Sequence, residues 1–222
     1  MPKYETVLFD LDGTLADSKE GVTKSIQYAL AKFGINVENM NSLLPLIGAV
    51  LVDEFQRRFN LKEGEARQAV KYYREYYTDN GIQQCRVFDG IPGLLTELRE
   101  LNCQMAVATL KPKIYTEKIL ECFEIANYFT LVESPEMDEE TITKPQIINR
   151  ALQRLPDRDR SKMVMVGDRS ADMIGAHQHN IDCVAAMYGY GSLSELVNCS
   201  PNFYVDNVSE LRQLLTMPYK QF

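Results

Sequence analysis

Two aspartates stand two apart in Asp10-Leu11-Asp12-Gly13-Thr14, and two more stand four apart in Gly167-Asp168-Arg169-Ser170-Ala171-Asp172. A hydroxyl, Thr109, and a lysine, Lys144, lie between these pairs in the chain. If folding gathers these groups, four like charges in one place cannot all stay ionised without a cation. Oxygen ligands of this kind select a hard ion that keeps several waters, so the expected metal is Mg²⁺.

Such chemistry needs elements that deliver all of these residues to one place. Residues 5–11 (ETVLFDL) read as a short buried strand, with turn chemistry following in Asp12-Gly13-Thr14. Further strands are expected over 104–109, 128–132, 163–167 and 183–187, with a weak one at 203–205. Helices fall between them, over 92–101, 115–123, 145–155, 171–179 and 208–215. Alternation of this kind makes βαβ units around a parallel sheet. Ligands bind such sheets at the carboxyl ends of the strands, and Asp10, Asp12, Thr109, Asp168 and Asp172 all fall there, while Lys144 opens a helix.

The stretch from 16 to 85 is different. Val22, Ile26, Ala29, Leu30 and Phe33 recur at helical spacing before Gly34, and Asp17 with Glu20 resembles a capping arrangement. Two more helical stretches follow, 49–59 and 63–80, the second ending at Gly81, and no strand is expected. The first strand is thereby cut off from the others by an all-helical insertion.

Composition narrows the function. With 45% apolar and 25% charged residues the chain can bury a sizeable core, which excludes disorder and coiled coil. Lys+Arg 24 against Asp+Glu 31 gives a net charge of −7, which argues against nucleic acid as a partner. Five scattered cysteines, with no Cys-x-x-Cys, read as reduced thiols, so a cytoplasmic location is expected. No signal peptide is read at the N-terminus, and the longest apolar run, 43–52, is too short for a membrane span and carries Pro45 and Gly48.

Asp10-Leu11-Asp12-Gly13-Thr14 after an apolar strand resembles the first motif of the haloacid dehalogenase (HAD) superfamily. Thr109, Lys144 and Gly167-Asp168-…-Asp172 are similar to its second, third and fourth motifs, in order. The resemblance implies an α/β fold, a Rossmann-like parallel sheet core (1–15 and 86–222) with an inserted α-helical cap domain (16–85). It implies that Asp10 is a nucleophile forming an aspartyl-phosphate. Asp12 would protonate the leaving oxygen and then activate water. Asp10, Asp168 and the main-chain carbonyl of Asp12 would hold Mg²⁺, with Asp172 on the metal or on one of its waters, while Thr109 and Lys144 would bind the phosphoryl oxygens.

The expected activity is hydrolysis of a small phosphorylated metabolite by a monomer or homodimer, similar to the phosphoglycolate-phosphatase branch, some of whose members act on nucleoside monophosphates. A phosphomutase would use the same residues, and a non-catalytic regulatory protein on this core is the alternative outside enzymes. Asp12 has no role in dehalogenation. Where many relatives carry Asn or Ser after the second-motif Thr, this chain has Leu110, which leaves Thr109 and backbone amides for the phosphate.

Several residues are read without a role. Lys111 is taken as a solvated neighbour of Thr109, and the charged stretches 133–140 and 157–162 as solvated connections. His177 and His179, two apart on a helix, face different directions and cannot chelate one ion together. The run Tyr72-Tyr73-Arg74-Glu75-Tyr76-Tyr77 is read as packing within the cap.

Overall fold

A four-residue run, TVLF, is buried along its whole length and forms β1 (Thr6–Phe9), as a strand covered on both faces must. In this computed structural model, which describes residues 2–139, 141–155 and 159–217, the chain then turns into a two-residue strand, β2 (Ala16–Asp17). α1 (Lys19–Ala31) follows, then a 3-10 turn over Met40–Leu46, α2 (Leu51–Phe59) and α3 (Glu63–Tyr76). α3 runs on into a π turn, Tyr77–Gly81. β3 (Arg86–Val87) brings the chain back antiparallel to β2, with Ala16 opposite Val87 and Asp17 opposite Arg86.

Helices and strands alternate from there. They are α4 (Ile91–Glu100), β4 (Gln104–Ala108), α5 (Lys113–Cys122), β5 (Leu131–Glu133), α6 (Lys144–Arg154) and β6 (Met163–Gly167). Then come α7 (Ser170–Gln178), β7 (Asp182–Ala186), α8 (Leu193–Val197), β8 (Phe203–Val205) and α9 (Val208–Thr216). Six strands form one parallel sheet in the order β5-β4-β1-β6-β7-β8. β1 is central, with Thr6 level with Gln104 on one side and Met163 on the other. The strand order changes direction there, so a crevice opens beyond its carboxyl end.

Period-two alternation divides the core between the two faces. Val7 and Phe9 join Met105, Val107, Val164 and Val166 under α4, α5 and α9, in an apolar cluster that continues into the helical stretch through Ile26, Leu30 and Phe55. Leu8 joins Ala106 and Met165 on the other face, under α6 and α7. Within the helical stretch, α1 crosses the π turn so closely that a Cβ on Gly21 would strike the Gly81 carbonyl.

The elements depart from expectation where tertiary contacts overrule local pattern. β2 lies in a stretch where no strand is expected, because two residues have no periodicity and β2 exists only through its pairing with β3. The helix expected over 63–80 changes to the π turn after Tyr76, and the 3-10 turn over Met40–Leu46 and the short α8 are additional. Leu131–Glu133 begins later than the expected strand, since Ala126–Tyr128 forms a 3-10 turn. Asp17 and Glu20 do not form a capping box. Instead the Ser18 and Lys19 N–H groups donate to Tyr190 Oη at 2.8 and 3.0 Å, and that hydroxyl donates to Asp17 Oδ1 at 2.9 Å.

Candidate active site

Asp10 is the first residue past β1, and its N–H donates to the Val166 carbonyl of β6 at 2.9 Å, which ties it to that strand. Thr109 follows β4, Lys144 opens α6, Asp168 follows β6 and Asp172 lies in the first turn of α7. All five are almost wholly buried. Lys144 Nζ donates to Asp10 Oδ1 at 2.7 Å and to the Ala108 carbonyl at 2.9 Å, and lies 2.9 Å from Asp172 Oδ1. Asp172 also accepts from the Arg169 N–H at 3.0 Å through Oδ2, so it caps α7 while facing the site. Thr109 Oγ1 accepts the Lys111 N–H at 3.2 Å.

Oxygens of Asp10, Asp168 and Asp172 lie within 4.8 Å of one another, the one grouping among the described residues that could hold a metal. Burial, then the Asp10 and Asp172 charges, push the Asp168 carboxyl well above the usual carboxylate range. Asp172 is raised by burial and by Asp10, against the pull of Lys144. Burial opposes the Lys144 charge, but Asp10 and Asp172 outweigh it and hold the ammonium above an ordinary lysine. Asp168 Oδ2 accepts the Tyr190 N–H at 2.7 Å, whereas its Oδ1 is buried with no protein donor. An orphaned buried oxygen beside two more carboxylates and one lysine fits a hard divalent cation.

The Asp12 carboxylate stands apart from this trio. It is held by Lys111, whose Nζ lies 3.1 and 3.0 Å from its two oxygens. Lys111 is therefore not the solvated neighbour expected from sequence: its side chain is 3% exposed and its ammonium lies 4.5 Å from the centre of the Tyr77 ring. Burial disfavours its charge, and Asp12, Tyr73 and Cys85 together restore it above the ordinary lysine value. Gly13 turns the backbone just past Asp12 with φ +83°, where any Cβ would strike the Asp168 carboxylate.

The helical stretch closes over this floor. Arg169 donates to the Pro45 carbonyl at 3.2 Å, to the Ile47 carbonyl, and to Glu195 Oε1 at 3.0 Å. Arg74 donates to the Met137 carbonyl at 3.0 Å, and Thr78 Oγ1 and Tyr115 Oη lie 2.8 Å apart. Between the layers is a cavity of ≈ 120 Å³ bordered by Asp12 and Lys111 and by Val22, Leu46, Val50 and Tyr73 above. Asp10, Lys144 and Asp168 do not line it, so it lies on the Asp12 side of the carboxylate cluster.

Other readings change as well. Glu133 is buried against Arg154 at 2.6 Å, and Pro135, Glu136, Met137 and Glu139 border the cavity, so 133–139 is not a plain solvated connection. Glu140, Asp157 and Arg158 lie outside the described residues. Tyr77, within the tyrosine run, stacks on Tyr73 and meets Tyr115 edge-on, so the run packs against the site floor as well as within the helices. His177 and His179 each face a backbone carbonyl, of Cys199 and Pro145, at 3.0 Å. Tyr190, Arg169 and Lys111 are the functional contacts that sequence reasoning missed. The only available signal was their nearness in sequence to a motif, and only for Arg169 and Lys111.

Comparison with known proteins follows the same lines. A 5'-nucleotidase of Pseudomonas aeruginosa is 36% identical over 213 residues, which is 96% of each chain. The crystal structure of a predicted phosphatase from Clostridium acetobutylicum superposes with a TM-score of 0.90 at 40% identity, covering 95% of this chain and 97% of that one. The Protein Tyrosine Kinase A (PtkA) structure of Mycobacterium tuberculosis does so with a TM-score of 0.83 at 34% identity, covering 96% and 99%. Residues 7–186 match the family of haloacid dehalogenase-like hydrolases. A parallel sheet with Asp10, Asp12, Thr109, Lys144, Asp168 and Asp172 at its carboxyl edge thus belongs to that family, and the chain is one of its hydrolases.

Proposed function

We propose that this HAD-family phosphatase hydrolyses a small phosphate monoester, phosphoglycolate-like or nucleotide-like, through an aspartyl-phosphate on Asp10. The observation that carries the reading is the buried cluster of Asp10, Asp168 and Asp172 with Lys144 against it. Those three carboxylates, with the Asp12 main chain, would hold Mg²⁺, which when bound neutralises charge between the nucleophile and the phosphate oxygens. Lys144 and Thr109 bind the phosphoryl oxygens. The Asp10 carboxylate attacks phosphorus, the bond to the ester oxygen breaks, and Asp12 gives that oxygen a proton. Asp12 then takes a proton from water, which attacks the same phosphorus, releasing phosphate and restoring Asp10.

Residues 16–85 act as a cap on a core of 1–15 and 86–222, and they read the leaving group. The enzyme works on a free metabolite in the cytoplasm, as a monomer or homodimer, without nucleic acid or membrane. The acidic balance supports this, as does the lack, among the described residues, of a helix long and apolar enough to cross a membrane.

The test is hydrolysis of p-nitrophenyl phosphate. Turnover should require Mg²⁺ and stop in EDTA, and full activity in EDTA would overturn the metal assignment. The mycobacterial relative named as a kinase favours a second reading, transfer from Asp10 to a hydroxyl rather than to water. Free phosphate equal to the alcohol released supports hydrolysis; a shortfall matched by a new phosphate ester supports transfer.

A further inference from the structure

We propose that Lys111 is a specificity residue that reads a second anionic group on the leaving side of the substrate, next to the ester oxygen. The inference rests on the phosphatase reading of the site and goes beyond it by naming what the cavity selects.

Two buried lysines flank the chemistry, and they have different duties. Lys144 is committed on the phosphoryl side, held by Asp10, Asp172 and the Ala108 carbonyl. Lys111 lies on the other side, bordering the cavity that Asp10 and Lys144 do not line. Among the described residues, Asp12 and Lys111 are the only buried charged ones in that border. Asp12 is also the only ion-pair partner of Lys111 among the described residues.

The pair cannot stay as it is during catalysis. The Lys111 ammonium occupies both oxygens of Asp12, at 3.0 and 3.1 Å. The leaving oxygen must reach one of those oxygens to receive its proton, at a hydrogen-bond distance of about 2.6–3.2 Å. Lys111 must therefore give up at least part of its contact with Asp12. A buried ammonium without a partner is costly, and the remaining cavity wall offers little compensation. Tyr77 presents a ring face at 4.5 Å, and Glu136 and Glu139, on the rim, are engaged with Lys113 and Arg150. The substrate itself is left to supply the counter-charge. A carboxylate or phosphate carried on the first or second carbon beyond the ester oxygen would lie beside Lys111 when that oxygen lies beside Asp12. The anion would take the ammonium, and Asp12 would be freed for the leaving oxygen.

The test compares esters matched in size. 2-Phosphoglycolate carries a carboxylate where 2-hydroxyethyl phosphate carries a neutral hydroxymethyl, and 3-phosphoglycerate compares in the same way with glycerol 3-phosphate. With Mg²⁺ present, kcat/KM of the wild type should favour the carboxylated member by about tenfold or more, the size of one good charge contact. Lys111→Met should reduce that ratio to about threefold or less, and Lys111→Arg should retain part of it. Melting curves show whether each variant is folded, and the wild-type ratio tests the proposal without any variant. Equal or better use of the neutral esters by the wild type would overturn the proposal. So would equal losses on both members in Lys111→Met, or no turnover of any carboxylated ester while p-nitrophenyl phosphate is hydrolysed. Those three results leave the phosphatase reading standing. Failure to hydrolyse p-nitrophenyl phosphate with Mg²⁺ supplied would overturn both.

Discussion

Asp10 and Lys144 meet at 2.7 Å with neither side chain more than 5% exposed, so exchanging either one changes charge where water cannot compensate. Asp10→Asn removes the charge of the proposed nucleophile but keeps its shape and leaves Lys144 paired with Asp172. Turnover should fall by about 10³-fold or more while the circular dichroism spectrum is unchanged. A variant retaining over about a tenth of the wild-type rate would require direct attack by water. Asp168 behaves in the opposite way toward stability. Its folded-state carboxyl is held above the usual range by burial and by its two acidic neighbours. A raised carboxyl stabilises the fold at low pH, and that stability is lost as pH rises through the folded-state value. Metal-free protein should therefore weaken as pH climbs above the ordinary carboxylate range, and the gain in melting temperature from Mg²⁺ should grow over the same interval. Asp168→Asn should abolish activity yet raise the metal-free melting temperature, by about 2–4 °C for each kcal/mol of repulsion removed. A lower melting temperature at neutral pH would show that the cluster carries no net repulsion.

Elements differ in how plainly the chain announces them. β6 and β8 coincide with the strands read from sequence, β6 because the run MVMVG is bounded by turn residues and buried on both faces. Asp10 and Asp168 were legible for the same reason: each directly follows a strand whose limits are local, and Asp12 and Asp172 come within four residues of them. Lys111 was not, since its partner Asp12 is 99 residues away and nothing between Leu110 and Pro112 indicates burial. Tyr190 was hidden in the same way, its phenol serving the first N–H groups of α1 from a point 172 residues later. Close packing between helices is equally silent, and Gly21 is the sharpest case. Gly21→Ala would favour the helix locally, yet it forces a methyl against the Gly81 carbonyl across the π turn. The variant should lose about 1–3 kcal/mol, read by urea unfolding, with little change in Mg²⁺-dependent turnover per folded molecule. An unchanged unfolding midpoint would mean that the two segments can separate at no cost.

At the scale of the molecule, the helical stretch rests on the sheet through a few directional contacts, and Arg169 makes several of them. Its guanidinium reaches the Pro45 and Ile47 carbonyls above while Glu195 steadies it from below. Arg169→Ala should loosen the closed arrangement, enlarging the radius of gyration of the ligand-free protein in small-angle scattering and raising KM more than it lowers kcat. Scattering curves that superpose would assign closure to the Thr78–Tyr115 and Arg74–Met137 contacts instead. The pairing of β2 with β3 has a broader effect. Ala16 and Val87 are partners in register, so the chain departs from the sheet and rejoins it across the width of one strand gap. The catalytic edge sees only that gap, whatever is spliced into it. Segments of other lengths and linings could be transplanted there without redrawing one hydrogen bond of the six-stranded sheet. Ancestry can therefore rewrite what this scaffold recognises while its phosphate chemistry is inherited intact.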